Sequence, residues 1–344
     1  MSSTFVIAEA GVNHNGSPEL AIKLVETAAR CGADAVKFQT FTAEKLVRRG
    51  AEKAAYQKSA TGEGDQFDML KQLEMSPELH DALILRCSEL GIEFMSTPFD
   101  EEAADFLLAS GMRRIKIPSG EITNWPFLRF LAKKNVPLIL STGMASLDEV
   151  LEAVAVIAEA RTSAGLTEAL SSVLCVLHCT SNYPALARDV NLRAMNTIAE
   201  ATGLPVGYSD HTLGLAVSTA AVALGATVIE KHFTLDKSLP GPDHQASLDP
   251  NEFAQLVVQI RVAEQALGSS IKAPAASELP VRALVRRSVS LARDVKAGET
   301  LSAQDLCLLR PGNGIPPAAL DQVIGQTLGE SMVSGTTLQW EMLS

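Results

Sequence analysis

Between Phe5 and about Leu267 eight short apolar runs recur, each ending in polar or glycine-containing residues: FVIAEAG, AVKFQT, EFMSTPF, RIKIPS, LILSTG, VLCVLHCT, VGYSD and TVIEKHF. Runs that are nearly continuous in apolar residues belong to strands covered on both faces, and helices between such strands make the pairing parallel. Pro18–Cys31, Glu101–Ser110 and Ser146–Arg161 read as helices, the last opened by Ser146 with Glu149 three positions on, a reciprocal capping pattern. Eight strand–helix units in about 260 residues fit a closed (β/α)8 barrel, with an open doubly wound sheet as the alternative. The placement of polar residues favours the barrel. Glu9, Lys37, Gln39, Thr97, Lys116, Ser119, Ser141, Thr180, Asp210, His211, Glu230 and His232 all lie in or just after a strand run. In a barrel those strand ends converge on one face.

The 344 residues exceed what such a barrel needs. After the helix ending near Leu267, GSSIKAPAASELP is rich in small residues and proline and reads as a linker. The barrel is therefore assigned to 1–268, the linker to 269–283 and a small domain of irregular β structure to 284–344. With 47% apolar and 20% charged residues the balance is globular, without bulk disorder. No run reads as a membrane span, and no basic segment followed by an apolar one opens the chain, so a cytoplasmic location is expected. The five cysteines are odd in number and scattered in apolar surroundings, which points to reduced thiols and not to a disulfide framework. A formal charge of −11 disfavours nucleic acid as a partner, so any anionic ligand must be held by local positive groups.

His211 and His232 end the seventh and eighth runs, which are neighbours in a barrel. Two imidazoles there can share one divalent ion and leave coordination positions open for substrate, or each can simply be hydrogen-bonded in the mouth. Asp210 and Glu230 flank them as orienting partners or a general base. Lys37 and Lys116 sit in apolar strands; a charge turned toward the helices would be poorly solvated, so both are expected in the mouth, paired with an anion. A Schiff-base lysine, or a structural one paired with Glu9 or Glu121, is the alternative. Ser119, Ser141, Thr180 and Ser209 add neutral donors suited to phosphate or carboxylate. NHNGS and RPGNG have the glycines and asparagines of tight turns. No phosphate-binding loop or dinucleotide fingerprint supports a nucleotide ligand.

In order along the chain, IAEAGVNHNGS (7–17), AVKFQTF (35–41), STPFD (96–100), KIPSGE (116–121), LSTGM (140–144), HCTSNYP (178–184), YSDHT (208–212), IEKHFTLDK (229–237), GPDHQASLDP (241–250) and RPGNGI (310–315) resemble the sialic acid synthase family. That family comprises the bacterial N-acetylneuraminate synthases and the relatives that make legionaminic acid. The resemblance implies a barrel followed by a C-terminal β-clip SAF domain, similar to type III antifreeze protein. It also implies a domain-swapped homodimer in which Arg310 completes the site of the partner. The implied reaction condenses phosphoenolpyruvate with an N-acylated mannosamine-type aldose and releases phosphate by C–O cleavage, with a divalent ion, typically Mn2+ and alternatively Mg2+ or Co2+. His211 and His232 would hold the ion. Lys37 and Lys116 would neutralise phosphoenolpyruvate, with Thr97, Ser119, Ser141 and Ser209 donating around it. Glu9, Gln39, Tyr183 and Asp243 would line the pocket, and Glu230, or else Glu9, would orient the attacking water. Two positions depart from the pattern: Ser181 stands where an asparagine is often found, followed by Asn182, and Leu284 stands where some members carry an aromatic residue against the acyl group. N-acetylmannosamine is the sugar expected first, and 2,4-diacetamido-2,4,6-trideoxymannose, leading to legionaminic acid, is the alternative. Pseudaminic acid synthesis is less favoured by GPDHQASLDP. A non-catalytic carbohydrate-binding protein is the alternative from another class, and it has no need of an ionic barrel mouth.

Overall fold

The computed structural model describes residues 3–344, in two compact units that divide between Gly268 and Ser269. The first unit is built on eight strands: β1 (Phe5–Gly11), β2 (Ala35–Thr40), β3 (Glu93–Pro98), β4 (Ile115–Ile117), β5 (Leu138–Ser141), β6 (Leu174–Cys179), β7 (Val206–Asp210) and β8 (Val228–His232). All ladders are parallel and the strands follow one another as β3-β2-β1-β8-β7-β6-β5-β4. β3 and β4 lie side by side, though no ladder joins them among the described residues. This is a nearly closed (β/α)8 barrel. A doubly wound sheet would reverse its strand order partway, and here the order runs round in sequence.

Side chains alternate along each strand, and that period of two sorts the barrel into layers. Ile7, Ala35, Met95, Ile139, Leu177 and Val228 form an apolar cluster of their own. Two residues further along the same strands stand Glu9, Lys37, Thr97, Ser141, Cys179 and Glu230. The polar groups thus form the next layer above an apolar plug. The intervening residues, among them Val6, Ala8, Val36, Phe38, Ile115, Ile117, Val176, Tyr208 and Ile229, join the larger core that the helices cover. At the plug's level Gly207 has no room for a side chain, because a Cβ would lie 2.4 Å from the Val228 carbonyl oxygen and 2.6 Å from Leu177 Cδ2.

The helices start where their caps are. Ser17 and Ser76 precede Pro18 and Pro77 and accept from Leu20 N and Leu79 N, and Asp100 accepts from Ala103 N. Ser146 Oγ accepts from Glu149 N at 3.3 Å while the Glu149 carboxylate accepts from Ser146 N at 2.8 Å, the reciprocal cap expected for the helix Leu147–Ser163. One feature lies outside the simple alternation. Between β2 and the helix Pro77–Leu90 lie three short helices (Ala43–Leu46, Ala55–Thr61 and Gln66–Lys71), of which the first and third join a separate cluster of Val12, Phe41, Met69 and Leu73 through Leu46, Met69 and Leu70.

The second unit carries an antiparallel pair, β9 (Ser288–Leu291) and β10 (Leu306–Leu309), with isolated bridges and short 3-10 turns around Val289, Leu291, Val295, Leu301, Ile315, Val323, Leu328 and Leu338. The stretch expected to be a linker is not wholly irregular. It contains the turn Ala276–Glu278 and enters the helix Leu279–Val285, because Glu278 accepts from Ala275 N and Pro280 occupies the first helical turn. All five cysteines are free thiols, and among the described residues no helix is long and apolar enough to cross a membrane.

Candidate active site

Strand register brings the ionisable residues together before any side chain is considered. Glu9 on β1 stands opposite Lys37 on β2 and His232 on β8, and Glu230 stands opposite Ser209 on β7. Lys37 Nζ lies 2.6 Å from Glu9 Oε2 and 3.6 Å from Glu230 Oε2, and donates to Thr97 Oγ1 at 2.9 Å. Lys116 Nζ is 3.5 Å from Glu230 Oε1, which also accepts from Ser209 Oγ at 3.0 Å. Gln39 Nε2 donates to Glu9 Oε1 at 3.3 Å. Glu121 is not a partner of either lysine; it accepts from Asn124 Nδ2. These groups, together with Ser119, Ser141, Ser181, Tyr183, His211, His232 and Asp243, line one cavity of about 540 Å³. Arg310 belongs to the second unit, where it is exposed just after β10.

Burial separates the charge states of the two glutamates. Glu9 is pushed up to about 7 by burial, with the Glu230 carboxylate adding to the shift against the pull of Lys37. Burial also acts to raise Glu230, but Lys116 and then Lys37 outweigh it and hold that carboxyl well below its ordinary range. Lys116 is lowered by burial, whereas in Lys37 the attraction of Glu230 and Glu9 overcomes burial and the net shift is upward. Asp243 is raised by burial to about 6.

The two histidines have ring centroids 5.3 Å apart. His211 Nδ1 donates to the Thr180 carbonyl at 2.8 Å, which in the neutral ring fixes the tautomer and puts the lone pair on Nε2; against burial, Cys179 and that carbonyl shift the ring upward, so a cation bound at Nε2 would compete with a proton. Burial and the neighbouring His211 hold His232 far below its usual range, so it is neutral, and its Nδ1 has no hydrogen-bond partner. A neutral imidazole with an unpartnered nitrogen beside a second with a free Nε2 fits a divalent ion. Among the described residues no cluster of three or more His, Cys, Asp or Glu side chains is arranged to hold one, so the remaining coordination positions would be open to substrate and water. Tyr183 covers the pair, 4.1 Å from the His211 ring and 5.5 Å from that of His232.

Two expected roles change. Asp210 turns away from the mouth, accepting from Thr212 N and Oγ1 and from Ser218 Oγ and pairing with Lys231 Nζ at 2.9 Å, all fully or nearly fully buried. The reason is parity: on a strand the residue next to an inward histidine faces outward. Asp210 therefore neither orients His211 nor acts as a base. Thr180 contributes its carbonyl to His211, in place of the hydroxyl donor expected of it.

The serine-lined end of the cavity includes a contact that the apolar runs do not reveal. Gly143 N donates to Ser119 Oγ at 3.0 Å, and a Cβ on Gly143 would fall 2.1 Å from Ser181 Oγ, 2.9 Å from Ser119 Oγ and 3.2 Å from Cys179 Sγ. Ser141 Oγ nearby is buried without a partner. Gly143→Ala should therefore raise KM for an anionic substrate by about tenfold or more, since the methyl displaces two serine donors, each charge-assisted bond being worth about 1.5–3 kcal/mol. Steady-state kinetics with the other substrate saturating checks this. Tyr56, whose ring lies 5.1 Å from Tyr183, was also not singled out by the sequence, because it lies in the inserted segment and not at a strand end.

A nearly closed barrel whose strand ends carry a buried lysine–glutamate cluster, serine donors and two neutralisable histidines, followed by a separate β-rich unit, defines a barrel enzyme acting on anionic substrates. The chain belongs to the NeuB family, which it matches over residues 24–272, and it carries a SAF domain at residues 286–344. It is 56% identical over 338 residues to N,N'-diacetyllegionaminic acid synthase of Legionella pneumophila, covering 98% of this chain and 94% of that one. It is 47% identical over 327 residues to the protein of the same name from Campylobacter jejuni, covering 95% and 96%. Among solved structures, the N-acetylneuraminic acid synthetase of Leptospira borgpetersenii in complex with citrate is 34% identical, with a TM-score of 0.71 over 81% of this chain and 90% of that one.

Proposed function

We propose that the chain condenses phosphoenolpyruvate with an acylated amino sugar, and that the sugar is 2,4-diacetamido-2,4,6-trideoxymannose, giving N,N'-diacetyllegionaminic acid. The observation that carries the choice of sugar is the 56% and 47% identity, over nearly the whole chain, to two synthases of that name. It supports this sugar over N-acetylmannosamine, the sugar expected first from sequence alone.

Lys37 and Lys116 neutralise the carboxylate and phosphate of phosphoenolpyruvate, and Ser119, Ser141, Ser181, Ser209 and Thr97 donate around them. A divalent ion held by His211 and His232, Mn2+ by expectation, would supply Lewis-acid polarisation of the sugar aldehyde. C3 of phosphoenolpyruvate bonds to that aldehyde carbon, whose oxygen takes up a proton. Water then adds at C2 and loses a proton, and the C2–O bond to phosphate breaks, phosphate leaving with the bonding pair as the new C2 hydroxyl gives up its proton and becomes the ketone. Glu230, kept anionic between the lysines, is placed to orient the water and to stabilise positive charge developing at C2. Glu9, raised to about 7, is the group suited to exchange a proton near neutrality. Gln39, Tyr183 and Asp243 hold the sugar. The expected contribution of Arg310 from a second copy of the chain, in a swapped homodimer, is part of this proposal.

Phosphate release from phosphoenolpyruvate, measured with each sugar in Mn2+ and in chelator, tests the reading. Metal-dependent release with kcat/KM at least about tenfold higher for the 2,4-diacetamido sugar is expected. Equal or better use of N-acetylmannosamine would move the function to N-acetylneuraminate synthesis, and no release with either sugar would overturn the condensation itself.

A further inference from the structure

The cavity has a wall that the chemistry above does not use. It comes from the three short helices between β2 and β3 and the turns around them, and its apolar members facing the cavity include Leu46, Val47, Met69 and Leu70. These side chains are not loosely placed. Met69 is buried against Val12, Phe41 and Leu73, and Leu46 and Leu70 pack onto that cluster, which is separate from the barrel core. The wall therefore has its own hydrophobic support and a fixed shape.

A line of rings relates this wall to the reacting end of the sugar. The His211 and Tyr183 ring centroids are 4.1 Å apart and those of Tyr183 and Tyr56 5.1 Å apart, each pair tilted, so Tyr56 lies two rings out from the candidate ion site. Tyr56 and the four apolar residues are supplied by the same inserted segment. The histidines, the two lysines and this segment line the same cavity, so a sugar with its aldehyde carbon at the histidines and phosphoenolpyruvate at the lysines can reach the segment with its far end.

We infer that the wall of Leu46, Val47, Met69 and Leu70 is the specificity surface for C6 of the sugar, and that it selects a methyl group over a hydroxymethyl group. The inference rests on the proposed condensation reaction and deepens it. A methyl at C6 leaves water for an apolar surface, whereas a hydroxyl set against these four side chains gives up hydrogen bonds to water that they do not replace, Gln57 and Gln66 being the polar side chains of the same segment that line the cavity elsewhere. Apolar pockets discriminate against an added hydroxyl by on the order of 10- to 100-fold in kcat/KM.

The test varies C6 alone. Phosphate release is measured with 2-acetamido-2-deoxymannose and with its 6-deoxy analogue, which share a hydroxyl at C4, so that the C4 acylamino group plays no part. The wild type is expected to favour the 6-deoxy sugar by about tenfold or more. Val47→Thr, nearly isosteric, and Leu70→Gln each place a polar group on a half-buried part of the wall and should shrink that ratio several-fold, mainly by improving the 6-hydroxy sugar, with KM for phosphoenolpyruvate unchanged. Thermal unfolding identifies either variant that fails to fold, and the other then carries the test. A wild-type ratio near one overturns the inference, as does a ratio that neither folded variant alters. The outcomes separate from those of the earlier reading: preference for the 2,4-diacetamido sugar with no discrimination at C6 leaves that reading standing and removes this one, while discrimination at C6 together with preference for N-acetylmannosamine over the 2,4-diacetamido sugar does the reverse. No turnover of any sugar overturns both.

Discussion

Lys116→Met is expected to lower kcat/KM for phosphoenolpyruvate by about 10²–10³, the loss typical of removing one preorganised charge stabiliser from a dry site. KM for the sugar should change by no more than a few-fold. The same substitution carries a pH signature. Lys116 is the largest of the influences that hold the Glu230 carboxyl down, ahead of Lys37 and the Ser209 hydroxyl. Without it the opposition to burial is weaker and Glu230 binds its proton at higher pH. The acid limb of the kcat profile, set where an essential carboxylate becomes protonated, should therefore move upward in pH in the variant. A variant that loses rate with no displacement of that limb would dissociate Glu230 from the rate-limiting chemistry.

Lys231→Met should destabilise the barrel by about 3 kcal/mol without touching the cavity. The Asp210–Lys231 pair is fully buried, with the ammonium also donating to the Thr212 carbonyl. Removing one member of a buried pair typically costs about 3–5 kcal/mol because the other charge is stranded. The lower end applies here, since Asp210 keeps three hydrogen bonds, to Thr212 N, Thr212 Oγ1 and Ser218 Oγ. Urea unfolding of the wild type, Lys231→Met, Asp210→Leu and the double variant checks the assignment: the double variant should be more stable than either single one. If Lys231→Met unfolds at the wild-type midpoint, the pair is not a structural tie between β7 and β8.

Most of the barrel was legible because parallel strands covered on both faces have little choice of residues, and polar groups inside them stand out. AVKFQT and VGYSD correspond residue for residue to β2 and β7. The same logic identifies Lys37, Lys116, Glu230 and the two histidines, since a charged side chain in such a strand must face the mouth or find a buried partner. Asp210 took the second option. Its adjacency to His211 in sequence was misleading, because adjacent residues on a strand point to opposite faces. Tyr56 and the apolar wall were not legible for another reason. Helices of four to seven residues present too few turns for a hydrophobic period, and what orders Met69 is contact with Val12 and Phe41, distant in sequence. Gly143 is a similar case: its importance comes from Ser119 after β4 and from Cys179 and Ser181 at the end of β6, closing around one Cα.

β7 and β8 each carry one charge to the outside and one histidine to the inside, in consecutive residues: Asp210 beside His211 and Lys231 beside His232. The backbone between them is a single sheet thick, yet the outward pair is sealed among helices while the inward pair opens to substrate. Such a strand can be revised one face at a time. Substitutions on the helical side will appear chiefly as changes in melting temperature and those on the mouth side chiefly as changes in reaction, except in the buried lysine–glutamate cluster, where a stranded charge alters both. For anyone redirecting this barrel to a new sugar, the consequence is practical: the scaffold and the chemistry occupy alternate letters of the same words, so durability and selectivity can be engineered in separate rounds.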